Sequence, residues 1–287
     1  MHTLKKNHPA SILLACLLPL AGCTERIDID LETTNRRLVV YGAVTTDSVC
    51  HHIELSTSAD YFSNEPPPPV PGAQVTLSFN STVLVFEEDP KHPGRYTSPF
   101  AFPGVPGTKY TLRIQGIDIN NDQVPETYTA SSTMPRVGTI DSLGMERFET
   151  PFFSGYQVRV YALDPPGREW YNFKLFRNSY SLNDQLEDYF VQSDDLINGS
   201  YIYGLPVGFL DDEEPHEAVR PGDTITLEIH SIPEEFYTFI LESQNEIFGN
   251  NPLFSGPPAN IKSNLDNQAL GLFSAYAVTR KSRVISP

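Results

Sequence analysis

Short runs of alternating apolar and polar residues, broken by proline or glycine about every ten residues, constrain the fold of this 287-residue chain more than any other feature. The chain carries 25 prolines and 18 glycines. Proline fixes φ and lacks a backbone donor, so long helices are ruled out across most of the length. The alternation has the period of a strand, in which successive side chains point to opposite faces. Arg37 to Val44 reads as a first strand and Cys50 to Ser56 as a second. In the second, His52, Glu54 and Ser56 share one face, and His51, Ile53 and Leu55 share the other. Pro66 to Pro69 is a stiff extended linker or a sheet edge. Ala73 to Phe79 alternates without a break, and Val83-Leu84-Val85-Phe86 pairs back on it through Asn80-Ser81. Further strands begin at Gly94 and Gly107, and Glu126 to Ser131 closes the set. Seven or so short strands at this spacing predict an immunoglobulin-like or transthyretin-like sandwich over residues 37–135.

Met134-Pro135-Arg136-Val137 marks the expected boundary to a second β-rich domain, residues 136–287. Tyr156 to Tyr161 is a strand, Asp164-Pro165-Pro166-Gly167 a turn, and Trp170 to Phe176 its expected hairpin mate. Thr224 to His230 and Leu270 to Val278 are two more strands. One amphipathic helix is expected at 232–248. Ser231-Ile232-Pro233-Glu234 has capping-box form, Phe236, Phe239, Ile240 and Ile247 mark one face, and Gly249-Asn250 ends it. The expected class is therefore mainly β, with two tandem β-sandwich-like domains and a helix in the second. No repeat of fixed period is visible.

The first 22 residues read as a leader. Lys5 and Lys6 form a basic start with no acid, and Ser11 to Leu20 is an apolar stretch of roughly ten residues. That is too short to cross a hydrocarbon core of about 30 Å as a helix. Leu20-Ala21-Gly22-Cys23 then has the form cut by lipoprotein signal peptidase, with Leu20, Ala21 and Gly22 before the cut and Cys23 carrying the lipid. Residues 23–36 would be a lipidated tether. Its acidic tract, Thr24 to Glu32, fits either a solvated spacer or a signal for display on the outer face of the outer membrane. The periplasmic face stays open as the alternative.

Charge narrows the partners. The chain has 20 lysines and arginines against 36 acids, and loss of Lys5 and Lys6 with the leader leaves 18 against 36. So acidic a body disfavours nucleic acid and anionic membrane surfaces as direct partners, leaving the lipid as the contact with the membrane. Of three cysteines, Cys16 falls in the leader and Cys23 is acylated, so Cys50 is the remaining thiol. No internal disulfide is expected despite export.

Four stretches were weighed for chemistry. Cys50-His51-His52 has soft-metal ligands, but strand alternation sends the two histidines to opposite faces, so no metal is assigned. Asp118-Ile119-Asn120-Asn121-Asp122 opens like a calcium loop. Gln123 replaces the required glycine and Thr129 the closing glutamate, so a hairpin tip is expected. Asp211 to Glu217 is the densest acidic run and reads as a solvated loop or a patch for a cation or basic partner. Tyr180, Tyr189, Phe190, Tyr201, Tyr203 and Phe209 fall in a loop-like middle of the second domain. They would plug a sandwich end or stack on sugars or planar chelates. There is no G-x-S-x-G elbow, no catalytic residue stands out, and no cofactor is implied.

The landmarks resemble, in order, a Bacteroidota lipoprotein family known as domain of unknown function 4249. They are Cys23-Thr24-Glu25 with Ile27; Leu38-Val39-Val40-Tyr41-Gly42; Gly72-Ala73-Gln74-Val75; Gly94-Arg95-Tyr96; Tyr110-Thr111-Leu112-Arg113-Ile114; Met134-Pro135; Ile140-Asp141-Ser142-Leu143; Asn260-Ile261-Lys262-Ser263-Asn264; and Leu270-Gly271-Leu272-Phe273-Ser274-Ala275. The resemblance implies an accessory lipoprotein of a TonB-dependent uptake system for a nutrient or metal chelate, and the family has no agreed activity. A non-enzymatic role is the leading expectation. It carries over no functional residue beyond Cys23. A structural or adhesive surface lipoprotein and a surface glycan hydrolase are the alternative expectations.

Overall fold

The computed structural model describes residues 36–59, 65–249 and 261–286, which belong to one compact unit. The leader, Leu20, Ala21, Gly22 and Cys23 lie outside the described residues, as does Asn250. The first seven strands are β1 (Leu38–Thr45), β2 (His52–Thr57), β3 (Gln74–Phe79), β4 (Thr82–Glu88), β5 (Arg95–Thr97), β6 (Lys109–Ile117) and β7 (Glu126–Thr133). They fall where the alternation placed them. In β1 the buried positions are Leu38, Val40, Gly42 and Val44, one every second residue. β3 and β4 join through Asn80 and Ser81, with Asn80 at φ 49°, a conformation asparagine tolerates. The proline stretch is an edge. Thr57 N–H donates to Pro68 O, and Val70 N–H donates to Leu55 O. Prolines cannot offer donors to a further strand, which blunts that side.

The remaining elements are β8 (Ser142–Thr150), β9 (Phe153–Leu163), β10 (Trp170–Arg177), β11 (Tyr180–Ser181), β12 (Phe190–Ser193), β13 (Tyr201–Asp211), β14 (Thr224–Ile232), helix α1 (Glu234–Gly249) and β15 (Leu270–Val284). A continuous hydrogen-bonded path runs β11-β10-β14-β15-β1-β2-β5-β4-β3-β6-β7, with β12 on β10. On that path β1 and β6 are five strand spacings apart, about 24 Å in a flat sheet. Yet Val40 and Leu112 belong to the same core, with residues from all of β1 to β7. The sheet therefore turns over on itself and encloses that core. A second sheet, β13-β9-β8, packs on the β10–β14 end through a core of Val158, Val160, Phe173, Leu175, Leu210 and Leu227. Helix α1 covers the other side of that end with Phe236 and Ile240.

The apolar residues gather in three clusters, one enclosed by β1–β7, one between the two sheets and one under α1, and β15 joins the first to the third. β15 pairs in parallel with β1, Val39 opposite Leu270 through Thr45 opposite Tyr276. On its other side it pairs antiparallel with β14. Phe273, Ala275 and Ala277 enter the first core, while Leu272 packs under α1. Gly271 has φ 86°, and an added Cβ would sit 2.0 Å from Val40 O, so this crossing needs glycine. Charges tie the same seam. Arg280 bonds both carboxylate oxygens of Asp47 at 2.6 Å and also bonds Glu228, which accepts from His230 Nε2 at 3.0 Å. The Arg280 bonds hold Asp47 below the usual carboxylate range. Burial alone would raise Glu228, but His230 and Arg280 outweigh it and hold it low.

Several local expectations are corrected. Trp170 to Phe176 is not the hairpin mate of the preceding strand: β9 pairs with β8 and β13, while β10 pairs with β14. The Asp164–Gly167 turn carries the chain from one sandwich layer to the other, and alternation alone does not distinguish the two outcomes. The helix begins at Glu234, because Ser231 and Ile232 are still paired in β14; Pro233 O accepts from the N–H groups of Phe236 and Tyr237. Ile247 is half exposed, and Ser243 takes the buried position, its hydroxyl bonded to Phe239 O at 2.6 Å. The aromatic middle read as loop-like is largely strand, in β11, β12 and β13.

Truncating Phe273, fully buried on the shared strand, tests the coupling of the halves. Phe273→Ala is expected to cost about 3–5 kcal/mol. It should lower the urea midpoint of the whole body in one transition, followed by tyrosine and tryptophan signals together. Two separated transitions would show that the halves fold apart.

Candidate functional site

An open recess of about 460 Å³ lies where the two halves meet. Three segments build it. The β7–β8 connector supplies Arg136, the β9–β10 crossing supplies Arg168, Glu169 and Trp170, and the β14–α1 junction supplies Glu234 and Glu235. Ligand sites favour such junctions, since side chains from separate segments converge there. Trp170 is the one tryptophan of the chain. The Arg168 guanidinium lies 5.3 Å from its ring centroid and pairs with Asp195 at 3.2 Å. An aromatic platform flanked by both signs of charge suits an organic ligand with polar substituents.

Glu169 continues inward from the cleft to a buried acidic group. The Tyr171 hydroxyl lies 2.6 Å from Glu169 Oε2 and 2.9 Å from Asp164 Oδ1. Asp164 Oδ2 accepts from Gly199 N–H at 2.9 Å, and Asp194 N–H donates to Glu169 O at 3.1 Å. Asp194 is fully buried and neither carboxylate oxygen has a hydrogen-bond partner. Burial is the main force raising both Asp164 and Glu169, and the Asp194 charge adds to it. Burial and the Glu169 bond push the Tyr171 phenol far above its usual value, so it keeps its hydrogen. One phenol hydrogen cannot serve two carboxylate oxygens. The second contact is a hydrogen bond only if one of the two carboxyls is protonated. The contacts pin the loop of residues 194–200 to the β9–β10 crossing.

A second recess, about 450 Å³, lies between β13 and the β10–β12 region, with Leu175, Phe190 and Phe209 beside Asp188 and Glu217. It brings together two of the aromatics singled out in the sequence. The others are dispersed: Tyr180 stacks on His216 with centroids 4.9 Å apart, Tyr201 touches Tyr203, and Tyr189 lies under Lys174 at 4.7 Å.

The remaining sequence candidates have structural explanations. His51 is buried, its Nε2 2.9 Å from Phe102 O, while His52 is exposed on the opposite face and Cys50 is a free, exposed thiol. Among the described residues no three His, Cys, Asp or Glu side chains form a group able to hold a metal ion. Asp118 accepts from the N–H groups of Asp122 and Gln123, and Asp122 from that of Val124, so the calcium-like loop is a self-capped hairpin tip. In the 211–217 run, Glu217 accepts from Asp211 N–H and Asp212 pairs with Arg147, leaving Glu213 and Glu214 exposed. The sequence reading missed Asp164, Glu169, Trp170 and Asp194. A lone tryptophan next to Arg168-Glu169, just after the Pro-Pro-Gly turn, was the available signal.

Residues 24–282 match the family described as Domain of unknown function (DUF4249). The chain belongs to this family. The match starts one residue after Cys23 and ends at Ser282, so it takes in β1 to β14, helix α1 and most of β15. Among curated proteins no significant match was found. Among the described residues of this DUF4249 protein, no helix is long and apolar enough to cross a membrane.

The raised carboxyls predict a pH dependence. Burial makes Asp164 and Glu169 bind a proton more tightly in the folded chain than in the unfolded one. Their contribution to stability is therefore complete at low pH and declines as pH rises through the raised folded values of Asp164 and Glu169. Lowered carboxyls such as Asp47 and Glu228 act in the opposite sense, so the cluster is read as a difference. The stability of the native chain minus that of Glu169→Gln, from urea midpoints between pH 4 and 8, should fall as pH increases. A flat difference would rule out the raised carboxyls.

Proposed function

We propose that this DUF4249 protein is a non-enzymatic lipoprotein, held to the outer membrane through Cys23, that binds a small ligand in the junction cleft and works beside a TonB-dependent receptor. The carrying observation is the cleft itself, where Trp170 and charges of both signs converge from three segments. Binding fits this geometry better than hydrolysis. The raised carboxyl, Glu169, is engaged by Tyr171 beneath the cleft instead of being free to give a proton to a substrate. A site shared between two halves also gives a simple route to release, because small shifts at the junction would change its shape.

The single tryptophan reports on the site directly. Titration with oligosaccharides and ferric chelates, excited at 295 nm, should change its emission for one class and leave it unmoved by the other. Trp170→Ala is expected to weaken that binding by about 2 kcal/mol, roughly 30-fold. No spectral change with any member of either class would count against a ligand cleft.

Anchoring is tested separately. Cys23→Ser should abolish labelling by radioactive palmitate and release the body from the membrane fraction. Unchanged labelling and membrane recovery would overturn the lipid assignment.

A further inference from the structure

The three-stranded sheet carries a second surface that the cleft does not use. β8 and β9 form a tight hairpin, Thr150 opposite Phe153, with Pro151 and Phe152 at its turn. Phe148 lies opposite Gly155, which in turn lies opposite Asp211. Residues opposite one another share a face, and so do residues two apart along a strand. Phe148, Phe153 and Phe209 therefore share one face of the sheet. Val158 and Leu210 alternate to the other face, which is packed in the core. The three rings form a triangle, with centroids 5.7 to 5.9 Å apart. Gly155 sits under them, and an added Cβ there would lie 2.0 Å from Leu210 O and 3.1 Å from the Phe153 ring. Beside the triangle, Phe152 is 97 % exposed, and Phe148 and Phe209 are 39 % and 47 % exposed. Nothing in the fold requires an almost bare phenylalanine at a hairpin turn.

The rim of this patch is acidic. Glu146 flanks it on the same face of β8, and Asp211, Asp212, Glu213 and Glu214 follow Leu210 directly. The cations nearby are already committed. Arg147 bonds Glu149 and Asp212, and Arg159 bonds Glu146. A desolvated aromatic centre inside a charged rim is the anatomy of a protein–protein interface. The sign of the rim selects the occupant. An anionic lipid surface would be repelled, as would a second copy bringing the same acids.

We infer that the Phe148–Phe152–Phe153–Phe209 patch docks into an apolar pocket rimmed by lysine and arginine on a protein partner. The inference rests on the proposed function only in expecting that partner at the outer membrane, and the test separates the two. A photoreactive phenylalanine analogue is placed at position 152 of the full lipidated chain, and a control at Val83, 63 % exposed on β4. After illumination of intact membranes, the cross-linked protein is identified by mass spectrometry. The expected result is one protein cross-linked from position 152 and not from 83. Its yield should fall at least tenfold in Glu213→Lys/Glu214→Lys, and its binding to the purified native chain should weaken as salt rises. Phe152→Ala should weaken that binding at least tenfold without moving the unfolding midpoint, since the side chain is exposed.

Cross-linking to a second copy, binding of the patch to phosphatidylglycerol vesicles, indifference to the charge reversal, or no product at 152 would each overturn the inference. A TonB-dependent receptor that co-purifies but links only from elsewhere would sink this surface and leave the proposed function standing. A charge-sensitive product with a different protein would do the reverse.

Discussion

Both halves of this protein depend on one strand, β15. β15 is hydrogen-bonded to β1 on one edge and to β14 on the other. Its odd-numbered residues, Phe273, Ala275 and Ala277, complete the first core, and Leu272 supports the helix on the opposite face. A strand buried on both faces is read as a nearly continuous apolar run, which is what Leu270 to Ala277 shows. A parallel pair needs a long connection, and here the connection is nearly the entire body. The first core cannot be complete until residue 277 is in place. With Cys50 the only cysteine among the described residues, no disulfide there enforces that closure. Packing, the close approach at Gly271 and the Asp47–Arg280–Glu228–His230 series have to do so.

The junction cleft inherits this dependence. Its walls come from the β7–β8 connector, the β9–β10 crossing and the β14–α1 junction. The first of these hangs from the first core, through Met134, which is buried and bonded to Thr108 and Gly107. The other two belong to the second half. The pairing of β14 with β15 and of β15 with β1, the Arg280 bonds to Asp47 and the Thr279 hydroxyl on Gly138 O together hold them in one register. Beneath the cleft, the Tyr171 hydroxyl lies within hydrogen-bond distance of both Glu169 and Asp164, which burial raises. Asp194, buried with no partner for its oxygens, is a cost that this arrangement leaves in place.

Local pattern was enough for the strands and for the β3–β4 hairpin, because period-two alternation and an Asn-Ser turn are local signals. It also separated His51 from His52 correctly. It failed wherever the deciding contact was distant in sequence. β9 and β10 look like hairpin mates around Asp164–Gly167, but their apolar faces meet across the sandwich instead of edge to edge. The Ser231-Ile232-Pro233-Glu234 pattern looks like a cap, but Ser231 and Ile232 are held by pairing with β10, and β14 claims them. Ile247 has helical spacing, yet the helix runs past its support by then and leaves Ile247 and Phe248 outside. The site was hidden for a similar reason. Glu169 acquires its raised carboxyl from burial, to which Asp164 and Asp194, 5 and 25 positions away, add, and no spacing rule links those three.

Acidity has two roles that the net charge conflates. Asp47, Asp223 and Glu228 are paired with arginine or bonded to backbone, and they hold the fold. Glu213 and Glu214 are exposed and serve no internal contact of that kind beyond a turn bond to Glu213 N–H. Screening confines the field of such surface acids to about 8 Å in physiological salt. They therefore cannot draw a partner from a distance, but they can reject a wrong one at contact. A lipid at Cys23, as proposed, would hold the chain at a membrane but would not by itself orient the body. Orientation then has to come from the body, and an apolar tip inside an acidic rim turns away from anionic lipid and toward basic protein. On this reading the anchor and the rim divide the work: one brings the protein to the membrane, and the other keeps its aromatic tip out of it.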